Sequence, residues 1–119
     1  MTRAFFRQIR LKIDDLTGTH TLGPGMADLL ELIGQTGSIS GAARGMGMSY
    51  RRAWALVQAV NATFRKPLVE CKTGGARGGG AALTKEGVAV LKAYRDAEQA
   101  ALKAVRPYVR RIRARMRSR

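Results

Sequence analysis

The side chains best suited to selective binding stand together at Ser49, Tyr50, Arg51 and Arg52, with Gln58 further along the same stretch. An arginine can hold guanine O6 and N7 with two hydrogen bonds, and a glutamine can hold adenine in the same way. A serine at a helix start, beside unsatisfied backbone N–H groups, suits a phosphate. Arg51 and Arg52 are adjacent, so on a helix they point about 100° apart. One is expected to read a base and the other a phosphate, with Arg52 the expected base reader; a solvated face is the alternative. Ser38 and Ser40, at the head of the preceding segment, join the expected DNA contacts. Further on, TGGARGGG offers a flexible basic tip, with Lys72 and Arg77 as donors to a minor groove or backbone. Its alternative is a tight loop whose glycines serve only backbone geometry.

Other chemistry finds little support. The glycine-rich stretch lacks G-x-x-x-x-G-K-[ST] and has no helix directly behind it, and it does not fit G-x-G-x-x-G. His20 and Cys71 are the only histidine and the only cysteine, far apart in sequence, so no zinc or other metal site is expected. Nucleophile–base pairings and clustered carboxylates are lacking, so neither a cofactor nor enzymatic activity is expected. Cys71 reads as a half-buried strand residue, and a lone cysteine forbids an intrachain disulfide, which suits a reducing, cytoplasmic setting.

The chain has 119 residues and a formal net charge of +14, from 22 lysines and arginines against 8 acids. That length suits one domain, and that charge favours a polyanionic partner. No signal-peptide pattern opens the sequence, and no apolar run approaches the roughly 20 residues that span a bilayer, so no membrane association is expected. Residues 1–106 are expected to form the domain, and 107–119 an arginine-rich extension. That extension either grips phosphates without sequence information or forms a disordered solubilising end.

The elements that must position these residues follow from periodicity. Residues 5–14 alternate as a half-buried strand (Ile9, Leu11 and Ile13 against Arg10, Lys12 and Asp14), closed off by turn formers from Thr17 to Gly25. Met26, Leu29, Leu30 and Ile33 recur at helical spacing, and Gly34 and Gly37 are expected to end that helix. Ser38 and Ser49 are expected to cap two further helices, broken apart at Gly47. Ala43 and Gly47 supply the small residue and the left-handed turn that a helix-turn-helix requires, with Ala42, Met46, Met48, Ala53 and Leu56 inward; an ordinary αα-hairpin is the alternative. Trp54 is expected in the core or an interface rather than as a stacking platform for a base. Leu68–Thr73 and Ala81–Leu83 form the wing. Thr84 opens a long helix that Pro107 should kink or interrupt. Along it, Leu102, Val105, Val109 and Ile112, continued by Met116, step at the spacing by which two helices pair, flanked by Tyr94, Ala97, Ala101, Ala104 and Tyr108. The expected fold is mainly α with a small β wing: a winged helix-turn-helix plus a long C-terminal dimerisation helix.

GSISGAARGMGMSYRRAW, followed by LVECKTGGARGGGAALTKEG, resembles the N-terminal DNA-binding domain of the ModE family of molybdate-responsive transcriptional regulators, a LysR-like winged helix. The resemblance covers about residues 22–98. It implies a dimer on a palindromic operator, with Ser49, Tyr50, Arg51 and Arg52 at the reading end of the recognition helix. Met26 follows Gly25 where a basic residue belongs in that pattern, which implies one phosphate contact fewer. The family's sensor is a separate C-terminal molybdate-binding module, for which these 119 residues have no room, so molybdate binding within this chain is not expected.

The sequence therefore reads as a cytoplasmic, homodimeric, sequence-specific regulator binding double-stranded DNA. An architectural protein with little sequence preference is the runner-up. An RNA-binding or ribosome-associated protein, and a subunit whose seam pairs with a different sensor chain, complete the alternatives.

Overall fold

Among the described residues, three of the four helices begin at a hydroxyl. Ser38 Oγ accepts a hydrogen bond from Gly41 N at 2.9 Å, Ser49 Oγ from Arg52 N at 3.1 Å, and Thr84 Oγ1 from Gly87 N at 2.9 Å. Each satisfies a donor that the first helical turn leaves open. In a computed structural model that describes residues 8–72 and 80–117, these caps open α2 (Ile39–Met46), α3 (Tyr50–Thr63) and α4 (Lys85–Arg113). The first helix, α1 (Pro24–Thr36), starts instead with proline, whose fixed φ suits that position. The strands are short: β1 (Ile13–Asp14) pairs antiparallel with β2 (Thr21–Leu22), and β3 (Val69–Lys72) with β4 (Gly80–Leu83). The architecture is the expected winged helix-turn-helix with a long C-terminal helix.

The core lies between the first three helices and the base of the wing. Leu29, Leu30 and Ile33 of α1 meet Ile39, Ala42 and Ala43 of α2, Ala53, Val57 and Val60 of α3, and Leu68, Val69 and Ala81. Gly47, at φ 69°, turns the chain between α2 and α3, and Met48 N donates to Ala43 O at 3.0 Å. A side chain at that φ is strained, so glycine is required there. The wing is pinned to the junction of α1 and α2, because Ala81 N donates to Gly37 O at 2.9 Å.

The first turn of α4 sits directly on the chain between α3 and β3. Thr84 Oγ1 donates to Pro67 O at 2.7 Å, and Thr84 N to Leu68 O at 2.9 Å. Gly87 is buried there, and a Cβ at that position would overlap the Leu68 carbonyl oxygen. Further along, Tyr94 is buried against Leu22 and Ala27, and its hydroxyl donates to Leu11 O. Arg95 bridges α4 to α1: Nη2 donates to Asp28 Oδ1 at 2.9 Å, Nε to Glu31 Oε1 at 3.0 Å, and Nη1 to Glu98 Oε1 at 2.8 Å. Burial works against the guanidinium charge, but these carboxylates outweigh it and hold the Arg95 pKa above its ordinary value. Past this cluster α4 projects from the domain, and the radius of gyration is 16.3 Å, against roughly 13–14 Å for a compact chain of this length.

Several elements depart from the sequence expectation. Of the strand expected over residues 5–14, only Ile13–Asp14 is paired, and residues 5–7 lie outside the described ones. The limit is the partner: Asp15 closes the hairpin, accepting from Thr17 N, Thr17 Oγ1 and Thr19 N and contacting His20 Nδ1 at 2.8 Å, so only Thr21–Leu22 remains to pair. Those contacts, His20 first and Thr17 next, hold the Asp15 carboxyl well below the usual carboxylate range. Helix α1 passes through Gly34 and ends only at Gly37, whose left-handed φ lets its N–H cap Ile33 O. Helix α4 is not interrupted at Pro107. Tyr94 belongs to the core rather than to a pairing seam, and Cys71 is on β3 but exposed.

Two glycine substitutions are expected to act in opposite directions. Gly87→Ala forces the α4 start away from Leu68 and lowers stability by about 2–3 kcal/mol. At Gly34, inside α1, an added Cβ meets the Leu83 side chain at ordinary contact distance, Cδ1 at 3.4 Å and Cγ at 3.7 Å, so Gly34→Ala raises stability by about 0.5–1 kcal/mol through helix propensity. Urea unfolding midpoints of the two variants check both signs.

Candidate nucleic-acid interface

Burial along α3 fixes which side of it is available. Ala53, Val57 and Val60 are buried, and Leu56 and Phe64 pack at the margin of the same core. With about 100° per residue, the direction opposite this stripe falls on Arg51, Ala55, Gln58 and Ala62. All four are exposed. Arg51 and Gln58 stand roughly 10 Å apart along the axis, about three base-pair steps, with only an alanine methyl between them. Arg52 projects from one flank of this face, and Tyr50 and Trp54 from the other.

Trp54 is 46% exposed and Tyr50 54% exposed. Of the two positions expected for Trp54, the core one is corrected, because its direction lies roughly a quarter-turn from the centre of the buried stripe; an interface position is compatible with this exposure. The two aromatics, four residues apart, form one exposed ridge beside the arginine face.

The remaining expected contacts are distributed around this helix. Ser49 is exposed at its N-terminus, and its oxygen is already the cap acceptor for Arg52 N, which leaves the hydroxyl proton for an anion. Ser40 is exposed and Ser38 half-buried at the start of α2, and Ser38 serves as the helix cap. Lys72 is exposed at the end of β3, where the wing leaves the domain. Arg77 and the rest of the glycine-rich tip lie outside the described residues. Leu102, Val105 and Val109 are half-buried, and Ile112 is 56% exposed, on the projecting part of α4.

Two positioning features escaped the sequence. Asn61 ties the end of α3 to the wing: Nδ2 donates to Val69 O at 2.9 Å, while Oδ1 accepts from Leu68 N at 2.8 Å and Val69 N at 3.1 Å. Its partners are seven and eight residues away, and a lone asparagine late in a helix gives no local sign of them. Arg44, exposed in the last turn of α2, adds a cation beside the turn into α3. Its charge was the only signal available. Among the described residues there is no group of three or more histidines, cysteines and carboxylates arranged to hold a metal ion, and no helix is long and apolar enough to cross a membrane.

Comparison with known proteins agrees with this geometry. The sequence model of the bacterial regulatory helix-turn-helix proteins of the lysR family matches residues 27–88, just over half of the chain. The molybdenum-pterin-binding protein MopB of Rhodobacter capsulatus is 48% identical over 73 residues, covering 61% of this chain and 27% of that protein. MopA of the same organism, also a molybdenum-pterin-binding protein, is 41% identical over 88 residues, covering 74% of this chain and 33% of that protein. The DNA-binding transcriptional dual regulator ModE of Escherichia coli K12 is 41% identical over 71 residues, covering 60% of this chain and 27% of that protein. The chain thus spans between a quarter and a third of the length of these relatives. The resemblance to ModE seen in the sequence is borne out.

The Asn61 bridge yields a direct expectation. Asn61→Ala removes three hydrogen bonds at the wing base and lowers stability by about 2–3 kcal/mol, because the Leu68 and Val69 backbone groups lose their partner. Hydrogen exchange then speeds at Leu68 and Val69 more than in α1.

Proposed function

Because the chain belongs to the lysR family of bacterial regulatory helix-turn-helix proteins, we propose that it is a cytoplasmic, sequence-specific, double-stranded DNA-binding transcriptional regulator acting as a homodimer, with molybdenum-related genes among its targets. The observation that carries this reading is the uncovered face of α3, where Arg51 and Gln58 flank Ala55 directly opposite the core. A helix of this width fits the major groove, where base edges are distinguishable. The molybdenum assignment draws support from the likeness to MopA and MopB, both molybdenum-pterin-binding proteins, and to ModE.

In this reading Arg51 and Gln58 read bases, and the methyl of Ala55 suits a thymine methyl. Arg52, on the flank, takes a backbone phosphate, which reverses the roles expected for the two arginines from the sequence. Ser49, the α3 N-terminus, Ser38, Ser40, Lys72 and Arg77 hold the phosphates on either side. The homodimer assignment draws on the projecting end of α4, where Tyr108 and Ile112, like Met116 just past the helix end, are each more than half exposed in the monomer. Pairing these seams buries them and sets two reading helices on successive major grooves, roughly 34 Å apart.

The test is a titration of operator duplex, selected from a random library, against scrambled duplex. Arg51→Ala weakens operator binding by about 1–3 kcal/mol and leaves scrambled DNA almost unaffected. Arg52→Ala weakens both alike and makes the salt dependence shallower by about one counterion. An operator preference near one for the parent protein favours the low-specificity architectural reading instead, to which the +14 charge lends weight. For the dimer, Val109→Glu combined with Ile112→Glu is expected to halve the sedimenting mass while leaving the far-ultraviolet spectrum of the domain intact.

A further inference from the structure

The chain's charge is not concentrated where the bases would be read. Residues 100–119 carry eight lysines and arginines and no acid, which is more than half of the net charge of +14. Within α4, Lys103, Arg106, Arg110 and Arg113 are all exposed. Their spacing of three, four and three residues confines them to a sector of about 80° and a length of roughly 15 Å. No acidic residue follows Glu98 in the sequence, so this row has no carboxylate within its own stretch of helix. Leu102, Val105, Val109 and Ile112 occupy the neighbouring sector. A copy covering that apolar sector leaves the basic row at the open rim.

We infer that the row Lys103–Arg106–Arg110–Arg113 is a second, sequence-independent contact surface for the phosphate backbone of duplex DNA, separate from the α3 face. Three of its four residues are arginines, whose planar fork matches two phosphate oxygens. A cationic last turn also favours the helix dipole, which accounts for Arg110 and Arg113 but not for Lys103 and Arg106, which stand further back. Anionic lipid is the competing partner for a basic amphipathic helix, but it requires the apolar sector to face acyl chains rather than a second copy.

The inference takes from the proposed function that the chain binds duplex DNA and that a second copy covers the apolar sector of α4. Binding of the full chain to scrambled duplex is measured over a series of potassium chloride concentrations. The variant K103Q/R106Q/R110Q/R113Q is expected to make the slope of log K against log salt shallower by about 3–4. R106K/R110K/R113K keeps the parental slope, because counterion release follows charge. R106Q and R110Q alone each make it shallower by about 0.9, which preserves the test if the quadruple variant does not fold. The control R10Q/K12Q/K66Q/K85Q removes equal charge elsewhere and is expected to shift the slope by less than about 1. A parental slope in the quadruple variant, or an equal shift in the control, overturns the inference. So does loss of binding to phosphatidylglycerol vesicles with the DNA slope unchanged. A parent that binds no duplex sinks the proposed function as well, which distinguishes the two failures.

Discussion

The arrangement depends on one close approach: the first turn of α4 lies against the carbonyls of Pro67 and Leu68. Thr84 bonds both, and Gly87 lets the helix backbone come within reach of the second. Leu68 is also where Asn61 takes hold, through the backbone N–H of the same residue. One short segment therefore receives the end of α3 on one side and the start of α4 on the other. Move it, and the wing base, α3 and α4 all lose their mutual register.

Electrostatics divides the molecule in a way the total charge hides. Arg95 draws Asp28, Glu31 and Glu98 into one cluster between α1 and α4, so three of the chain's eight acids are spent on internal cohesion. Asp15 is turned into its own hairpin, and Asp96 toward Lys92. Arg51, Arg52 and Arg44 stand away from these acids, exposed around the helix-turn-helix. A surface of that sign raises the local concentration of polyanions and speeds encounter, while selectivity must come from the few side chains that meet base edges.

Features set by local chemistry were legible in the sequence. Ser38, Ser49 and Thr84 announce helix starts, and Gly37 and Gly47 announce helix ends, because the signals lie within one turn of the element. The wing strands followed from the same local patterns. What escaped depends on distant partners. Residues 9–13 alternate like a strand, but a strand exists only where a neighbour supplies a ladder, and the neighbour has two residues. Tyr94 keeps the period of an exposed seam, yet Leu22 and Ala27 claim it. Asn61 acts on residues beyond its own helix and Arg95 on a helix far back in the chain, and their types fit many ordinary surface roles.

The length of α4 turns its mounting into a lever. Its 29 residues span roughly 43 Å, and its base is fixed at Pro67–Leu68 and again at Arg95. A tilt of about 10° at that base displaces the far end by roughly 7 Å, on the order of two base-pair rises. If two such levers meet at their tips, small angular differences at the fulcrum become whole steps of separation between the reading heads. The stiffness of the Thr84–Gly87 seating would then set the tolerance for spacer length between half-sites.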